Sequence, residues 1–294
     1  MRRRAFVQTG LAAGAALALP GAARAFPSDR PTTAAFRHSV CRWCYGDMTV
    51  DELARTAKSL GLASVELLDP DEWATVQAHG LTCAMANPPR PPESLTGPGE
   101  DMLTWGWNRM EHHEWLVPAF EERLRLVAEA GLPNLICFSG NRDGLSDEQA
   151  LANCARGLRQ IMPAAERLGV TVCTELFNSK VDHPDYQADS TRWGAALVDA
   201  VGSDRFRLLY DIYHMQIMEG DVIRTIRDFA PYIAHYHTAG VPGRHEINET
   251  QELYYPAICR AIAETGFTGF VAQEFIPTGE PVAALRDAVA RCTV

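Results

Sequence analysis

The sequence is short of positive charge: 27 Lys and Arg stand against 37 Asp and Glu, a formal net charge of −10 over 294 residues. Nucleic-acid binders need a cationic face to displace counterions, so that class of partner is disfavoured, whereas a metal cation would be attracted. A glycine-rich phosphate turn is also missing. Cys41 to Asp47, which follows the first β-compatible segment, holds none, and this argues against a dinucleotide-binding open sheet. The eight cysteines include one local pair, Cys41 and Cys44, with no second pair at metal-site spacing and no redox context. A zinc ribbon and a thioredoxin-like motif are therefore disfavoured, leaving a local disulfide or plain packing for this pair. Most of the other cysteines lie in or beside apolar runs, where a free thiol behaves as a small hydrophobe.

The longest apolar run comes at the start and is too short for a stable membrane span. Arg2, Arg3 and Arg4 precede Phe6, an Ala-rich stretch follows from Leu11 to Leu19, and Ala23-Arg24-Ala25 has the small-x-small form of a cleavage site. Together these read as a signal peptide over residues 1–25, and the Arg-Arg-x-Phe order is its twin-arginine version. The export machinery is thus an expected partner, and the expected location is periplasmic or secreted. No Cys follows the cleavage site to carry a lipid, so no membrane anchor is expected. Removing the leader takes four arginines and no acid, leaving 269 residues with net charge −14. That length suits one α/β domain over residues 26–294.

Apolar runs alternate with amphipathic stretches along this whole length. Strands are expected at 36–41, 64–68, 81–85, 134–138, 170–174, 206–210, 233–236 and 269–273. Helical spacing fills the intervals at 53–60, 71–79, 111–130, 147–168, 192–201, 222–229, 253–264 and 282–292. Residues 87–107 form a Pro/Gly-rich loop longer than ordinary connections, a length that often serves function. Eight strand–helix repeats imply a parallel sheet, and eight is the number that closes a (β/α)8 TIM barrel.

Four polar residues stand just after the last four expected strands: Glu175, Asp211, His237 and Glu274, separated by 36, 26 and 37 residues. In a barrel such positions converge on one mouth. Three carboxylates that close raise one another's pKa values unless a cation sits among them. With one imidazole, the set suits Mn2+, Mg2+ or Co2+ rather than a thiolate-rich zinc site. His235, two residues before His237 and on the same strand face, is expected one layer deeper, and the strand-end position favours His237 as the ligand.

Several segments carry a resemblance: Thr174-Glu-Leu-Phe-Asn178, Asp182-His-Pro184, Tyr210-Asp-Ile-Tyr-His-Met215 with Gln216-Ile-Met-Glu-Gly220, Ala239-Gly-Val-Pro-Gly-Arg-His-Glu246, and Gln273-Glu274. From about Val170 to Pro277 the chain resembles the hydroxypyruvate isomerase family, within the xylose-isomerase-like barrels and beside the ketose 3-epimerases. The resemblance implies that Glu175 and Glu274 serve both as metal ligands and as an acid/base pair. His237 stands where hydroxypyruvate isomerases often have Gln and where the epimerases have His. The implied chemistry removes a proton next to a carbonyl and returns it, with a metal as Lewis acid. His214, Arg244 and, at the end of the second strand, Glu66 are expected to hold substrate. Trp43, Trp105 and Trp107 are candidates to close over a sugar. The expected enzyme is a metal-dependent isomerase of a hydroxypyruvate-like keto acid or small sugar, and a homo-oligomer is compatible with it. The alternatives are a ketose 3-epimerase, a lyase or hydrolase on 3-keto-glycosides, a metal-dependent endonuclease and a non-catalytic sugar-binding barrel.

Overall fold

In a computed structural model, residues 35–97 and 100–294 are described; the leader expected at 1–25 lies outside them. Strands and helices alternate from Arg37 to Cys292. The strands are β1 (Arg37–Cys41), β2 (Ser64–Glu66), β3 (Asn134–Cys137), β4 (Thr171–Glu175), β5 (Phe206–Asp211), β6 (Ile233–Thr238) and β7 (Phe270–Gln273). They form a parallel sheet in the order β2-β1-β7-β6-β5-β4-β3. Helices α1 (Val50–Ser59), α2 (Trp73–Ala78), α3 (His113–Glu129), α4 (Asp147–Leu168) and α5 (Thr191–Val201) flank it, followed by α6 (Ile212–Met218), α7 (Val222–Phe229), α8 (Tyr255–Glu264) and α9 (Pro281–Cys292). The fold is TIM-barrel-like, a curled seven-stranded sheet among the described residues.

Seven regular strands stand where eight were expected, because 81–85 does not become one. The segment lies between β2 and β3 and touches both through isolated parallel bridges, Ser64 with Thr82, Leu68 with Ala86, and Ala86 with Leu135. Between those bridges Leu67 N–H still donates to Met85 O at 2.8 Å, but at Ala84 side chains take over the ladder's bonds. Ala84 N–H donates to Ser64 Oγ at 2.9 Å, and Asn134 Nδ2 donates to Ala84 O at 2.8 Å. Strand β2 is itself cut short by Leu67, whose φ of 57° leaves the extended region.

The helix ends follow local chemistry. Thr49 and Glu52 form a reciprocal capping box on α1, Ser146 caps α4 and Ser190 caps α5. Gly169 ends α4 at φ 73°, a conformation in which a side chain would be strained. Helix α6 was not among the expected elements. Asp211 starts it by accepting the N–H groups of Tyr213 and His214, so a strand-end acid serves as helix cap as well.

The long loop is pinned at its far end. Trp107 and Asn108 donate backbone bonds to Phe138 and Ser139, and a Cβ on Gly106 would lie 2.1 Å from Gly140 N. Trp105 and Trp107 are buried there and belong to the core; Trp43 stays 45% exposed. All eight cysteines are free thiols, Cys41 and Cys44 included. No helix among the described residues is long and apolar enough to cross a membrane.

Candidate active site

Strands β4 to β7 run side by side, and the residues at their ends converge. Glu175 closes β4, Asp211 closes β5, His237 stands one residue from the end of β6, and Glu274 follows β7. Asp211 is the direct partner of His237 in the β5–β6 register. One ligand atom from each of the four lies within 4.8 Å of the others, and all four residues are buried. His237 Nδ1 is 2.9 Å from Glu274 Oε2 and 3.3 Å from Glu175 Oε1. Asp211 spends Oδ1 on the α6 cap, and its Oδ2 lies 3.4 Å from Arg244 Nη2.

Glu66 supports this cluster from beneath. Its Oε1 is 2.9 Å from His237 Nε2 and 2.7 Å from His235 Nε2, and all three side chains are fully buried. Glu66, expected to hold substrate at the mouth, is fully buried below it and does not line the cavity. Its Oε1 is taken by the two imidazoles, with the Cys41 thiol 3.9 Å away, while its buried Oε2 has no partner. His235 occupies the deeper layer, as its strand phase suggested.

Charge is unevenly distributed. Burial, reinforced by Glu274, pushes Glu175 up to about 7, and burial raises Asp211 well above the usual carboxylate range. Burial opposes a charge on Glu274 too, yet His237 and Arg244 outweigh it and hold this carboxyl well below its ordinary value. Burial likewise opposes a charge on Glu66, where the two histidines prevail and bring it to about 2. Against His237's own burial, Cys41, Glu274 and Glu175 raise its imidazole well above the ordinary range.

The donors present fit a divalent cation. Three hard carboxylates face one imidazole nitrogen, Glu175 Oε1 accepts no hydrogen bond, and Glu66 holds the far nitrogen of His237. A carboxylate behind a histidine in this way is a common support for a metal ligand. A 2+ ion would also relieve the crowding that drives Glu175 and Asp211 toward protonation.

Arg244, expected to hold substrate, reaches both Glu274 Oε2 and Asp211 Oδ2 and lies over the rings of Trp43 (5.0 Å) and Tyr213 (5.3 Å). Its backbone is left-handed, with φ 58°. His214 is fully buried, with Nδ1 2.7 Å from Asn178 Nδ2 and Nε2 3.6 Å from Asp211 Oδ2. Trp43 donates its indole N–H to Glu274 Oε1 at 2.8 Å, tying an exposed aromatic to the cluster. Sequence reasoning gave no role to Asn178 or His183. Both lie in the segments that carried the resemblance, and the Asn178-to-Asp182 spacing is the available signal for a side-chain turn.

A cavity of about 600 Å3 opens above the cluster. Glu175, Glu274 and Arg244 line it together with Trp43, Phe177 and His183, whereas Asp211, His237 and Glu66 do not. Arg42, Asn87 and Arg90 line it as well.

Carboxylates and an imidazole gathered at the strand ends of a TIM-barrel-like sheet, beneath a cavity, form a donor set that could hold a metal ion next to a bound small molecule. Residues 54–292 match the xylose isomerase-like TIM barrel, and the chain belongs to that family. It is 35% identical to the 2-oxo-tetronate isomerase of Cupriavidus necator over 251 residues, which cover 80% of this chain and 90% of that one. It is 29% identical to a human putative hydroxypyruvate isomerase over 170 residues, 56% of this chain and 61% of the relative's length. Among solved structures, an AP endonuclease of family 2 from Brucella melitensis superposes with a TM-score of 0.72 at 26% identity, covering 85% of this chain and 97% of the other. The 3-keto-D-glucoside 4-epimerase YcjR of E. coli gives 0.69 at 19% identity, covering 87% and 98%, and shares the fold.

Proposed function

We propose that the protein is a divalent-metal-dependent epimerase of a keto-sugar, with Glu175, Asp211, His237 and Glu274 as the ligands. One observation carries this reading. Of the four residues, only Glu175 and Glu274 also face the cavity. Two carboxylates that share a cluster and both reach the substrate are placed to act as a proton-transfer pair. One removes the proton next to a carbonyl and the other delivers a proton to the opposite face, which inverts that carbon. The bound metal would supply Lewis-acid stabilisation of the negative charge on the carbonyl oxygen. Arg244 adds a fixed positive charge at the cavity wall, and Trp43 orients Glu274 through its indole N–H.

Epimerisation is favoured over isomerisation of a three-carbon keto acid on two grounds. A cavity of about 600 Å3 is of the size that encloses drug-sized ligands, more than such an acid fills. The cluster also uses His237, the residue of the epimerases at this position. The test is NMR of Mn2+-reconstituted protein with hydroxypyruvate, D-fructose or a 3-keto-glucoside in D2O, followed by metal removal before spectra are recorded. The expected result is deuterium at the carbon next to the carbonyl of a keto-sugar together with its epimer, both lost in Glu175→Gln and Glu274→Gln. Turnover of hydroxypyruvate alone would return the reading to an isomerase.

A further inference from the structure

Asn178 follows β4 and lies in the buried layer behind the cavity wall. Its Oδ1 accepts the backbone N–H groups of Val181 at 3.0 Å and Asp182 at 2.9 Å, which fixes the orientation of the amide. The opposite corner is therefore the NH2 group, a donor with no lone pair to offer. It faces Asp182 Oδ2 at 2.6 Å and His214 Nδ1 at 2.7 Å. Asp182 Oδ2 also accepts from Tyr213 OH at 2.8 Å. Each hydrogen of the amide thus has one acceptor, and His214 Nδ1 is the lone-pair nitrogen.

A neutral imidazole with a bare Nδ1 carries its proton on Nε2. A doubly protonated ring would set an N–H against the amide N–H, so this contact also selects the neutral form. His214 Nε2 is buried, has no hydrogen-bond partner, and lies 3.6 Å from Asp211 Oδ2 at the edge of the cluster. The ring packs against Phe177, Tyr213 and His183 with centroids 4.9, 5.1 and 5.3 Å away, which opposes a flip.

We propose that Asn178 is a positioning residue that locks His214 as the neutral Nε2–H tautomer, holding that proton beside Asp211 Oδ2 at the edge of the cluster, where the carbonyl oxygen of a substrate bound at the cluster would meet it. The second half rests on the keto-sugar reading above; the tautomer does not. Neutral N–H donors aimed at a developing oxyanion stabilise it without moving during the reaction.

The test uses 15N-labelled full-length protein and long-range 1H–15N correlation in the Mg2+-loaded state, together with the double variant N178D/D182N. That exchange conserves net charge and lets the side chains at 178 and 182 stay paired with each other. A carboxylate then faces Nδ1 and draws the ring proton to that side. The wild type is expected to show His214 protonated at Nε2 and bare at Nδ1, and the double variant the reverse. With Mg2+ affinity retained, exchange of the α-proton of whichever of D-fructose and a 3-keto-glucoside the wild type turns over is expected to fall ~10²–10³-fold in kcat, with KM little changed. A wild-type His214 protonated at Nδ1 overturns the proposal, as does undiminished exchange in a variant whose tautomer has flipped. If the variant does not fold, the wild-type spectrum decides. If the wild type exchanges neither compound, the keto-sugar reading fails, and the spectrum still tests the lock.

Discussion

Replacing Glu175 by Gln puts an uncharged amide where burial and Glu274 drive a carboxyl toward protonation. In the metal-free protein the folded-state value is pushed up to about 7 from the ordinary 4.5. A folded value raised in this way stabilises the protein below the unfolded pKa and is lost as pH climbs through the folded one. At 1.36 kcal/mol per unit, Glu175 costs the metal-free wild type about 3 kcal/mol by pH 8 relative to acidic conditions. Glu175→Gln has no such titration, and groups remote from the cluster cancel in its comparison with the wild type. After chelation, the two proteins should have similar urea midpoints near pH 4, below the unfolded pKa. At pH 8 the variant should be the more stable by about 3 kcal/mol, roughly 6–12 °C in Tm for a domain of this size. Saturating Mn2+ should reverse the order at pH 8, because the variant has lost a ligand. A gap between the metal-free proteins that does not change with pH would refute the electrostatic reasoning, and Mn2+ stabilising both equally would refute the ligand assignment.

Glu66→Gln keeps the shape beneath His237 but removes the charge, and is expected to weaken Mn2+ binding ~10–100-fold by isothermal titration while the metal-free fold survives. Gly106→Ala forces a Cβ onto the backbone at Gly140 and should destabilise by about 1–3 kcal/mol in urea unfolding, an effect absent at Gly46→Ala, where φ is −55° and a Cβ meets nothing closer than 4.0 Å. Trp43→Phe removes the N–H held by Glu274; kcat should fall by more than thermal stability changes, since the ring is already 45% exposed. Arg3→Lys with Arg4→Lys should leave a fused reporter unexported, the readout of the proposed twin-arginine leader.

The alternation of apolar runs and helical spacing made seven of the strands legible, because a buried parallel strand must be apolar on both faces. The metal-type cluster was legible for a related reason. Strand ends are the only places where a repeat of this kind leaves polar residues pointing at one centre, so spacing alone grouped Glu175, Asp211, His237 and Glu274. Segment 81–85 escaped because Leu81-Thr-Cys-Ala-Met85 has the composition of a strand, and nothing in it announces that Ser64 and Asn134 will take the backbone bonds of Ala84. Helix α6 was missed although Asp211 followed by Ile-Tyr-His-Met is an N-cap signature; the same carboxylate had already been read as a metal ligand. Glu66 was misplaced in depth for want of information on tilt. Its strand position gave the face, while its distance from the mouth depends on how β2 sits against β1 and on the two histidines that reach it from β6.

The irregular segment between β2 and β3 also bears on how the molecule opens. Ala84 N–H is held by the Ser64 hydroxyl, so freeing it takes one side-chain rotation rather than the separation of two strands. In hydrogen exchange this amide should therefore behave as the weak seam, trading its proton through small local fluctuations, while the amides of β4 to β6 wait for the whole domain to unfold. The seam lies beside Asn87, which borders the cavity, so the softest part of the wall would adjoin the entrance, apart from the four strands that carry Glu175, Asp211, His237 and Glu274.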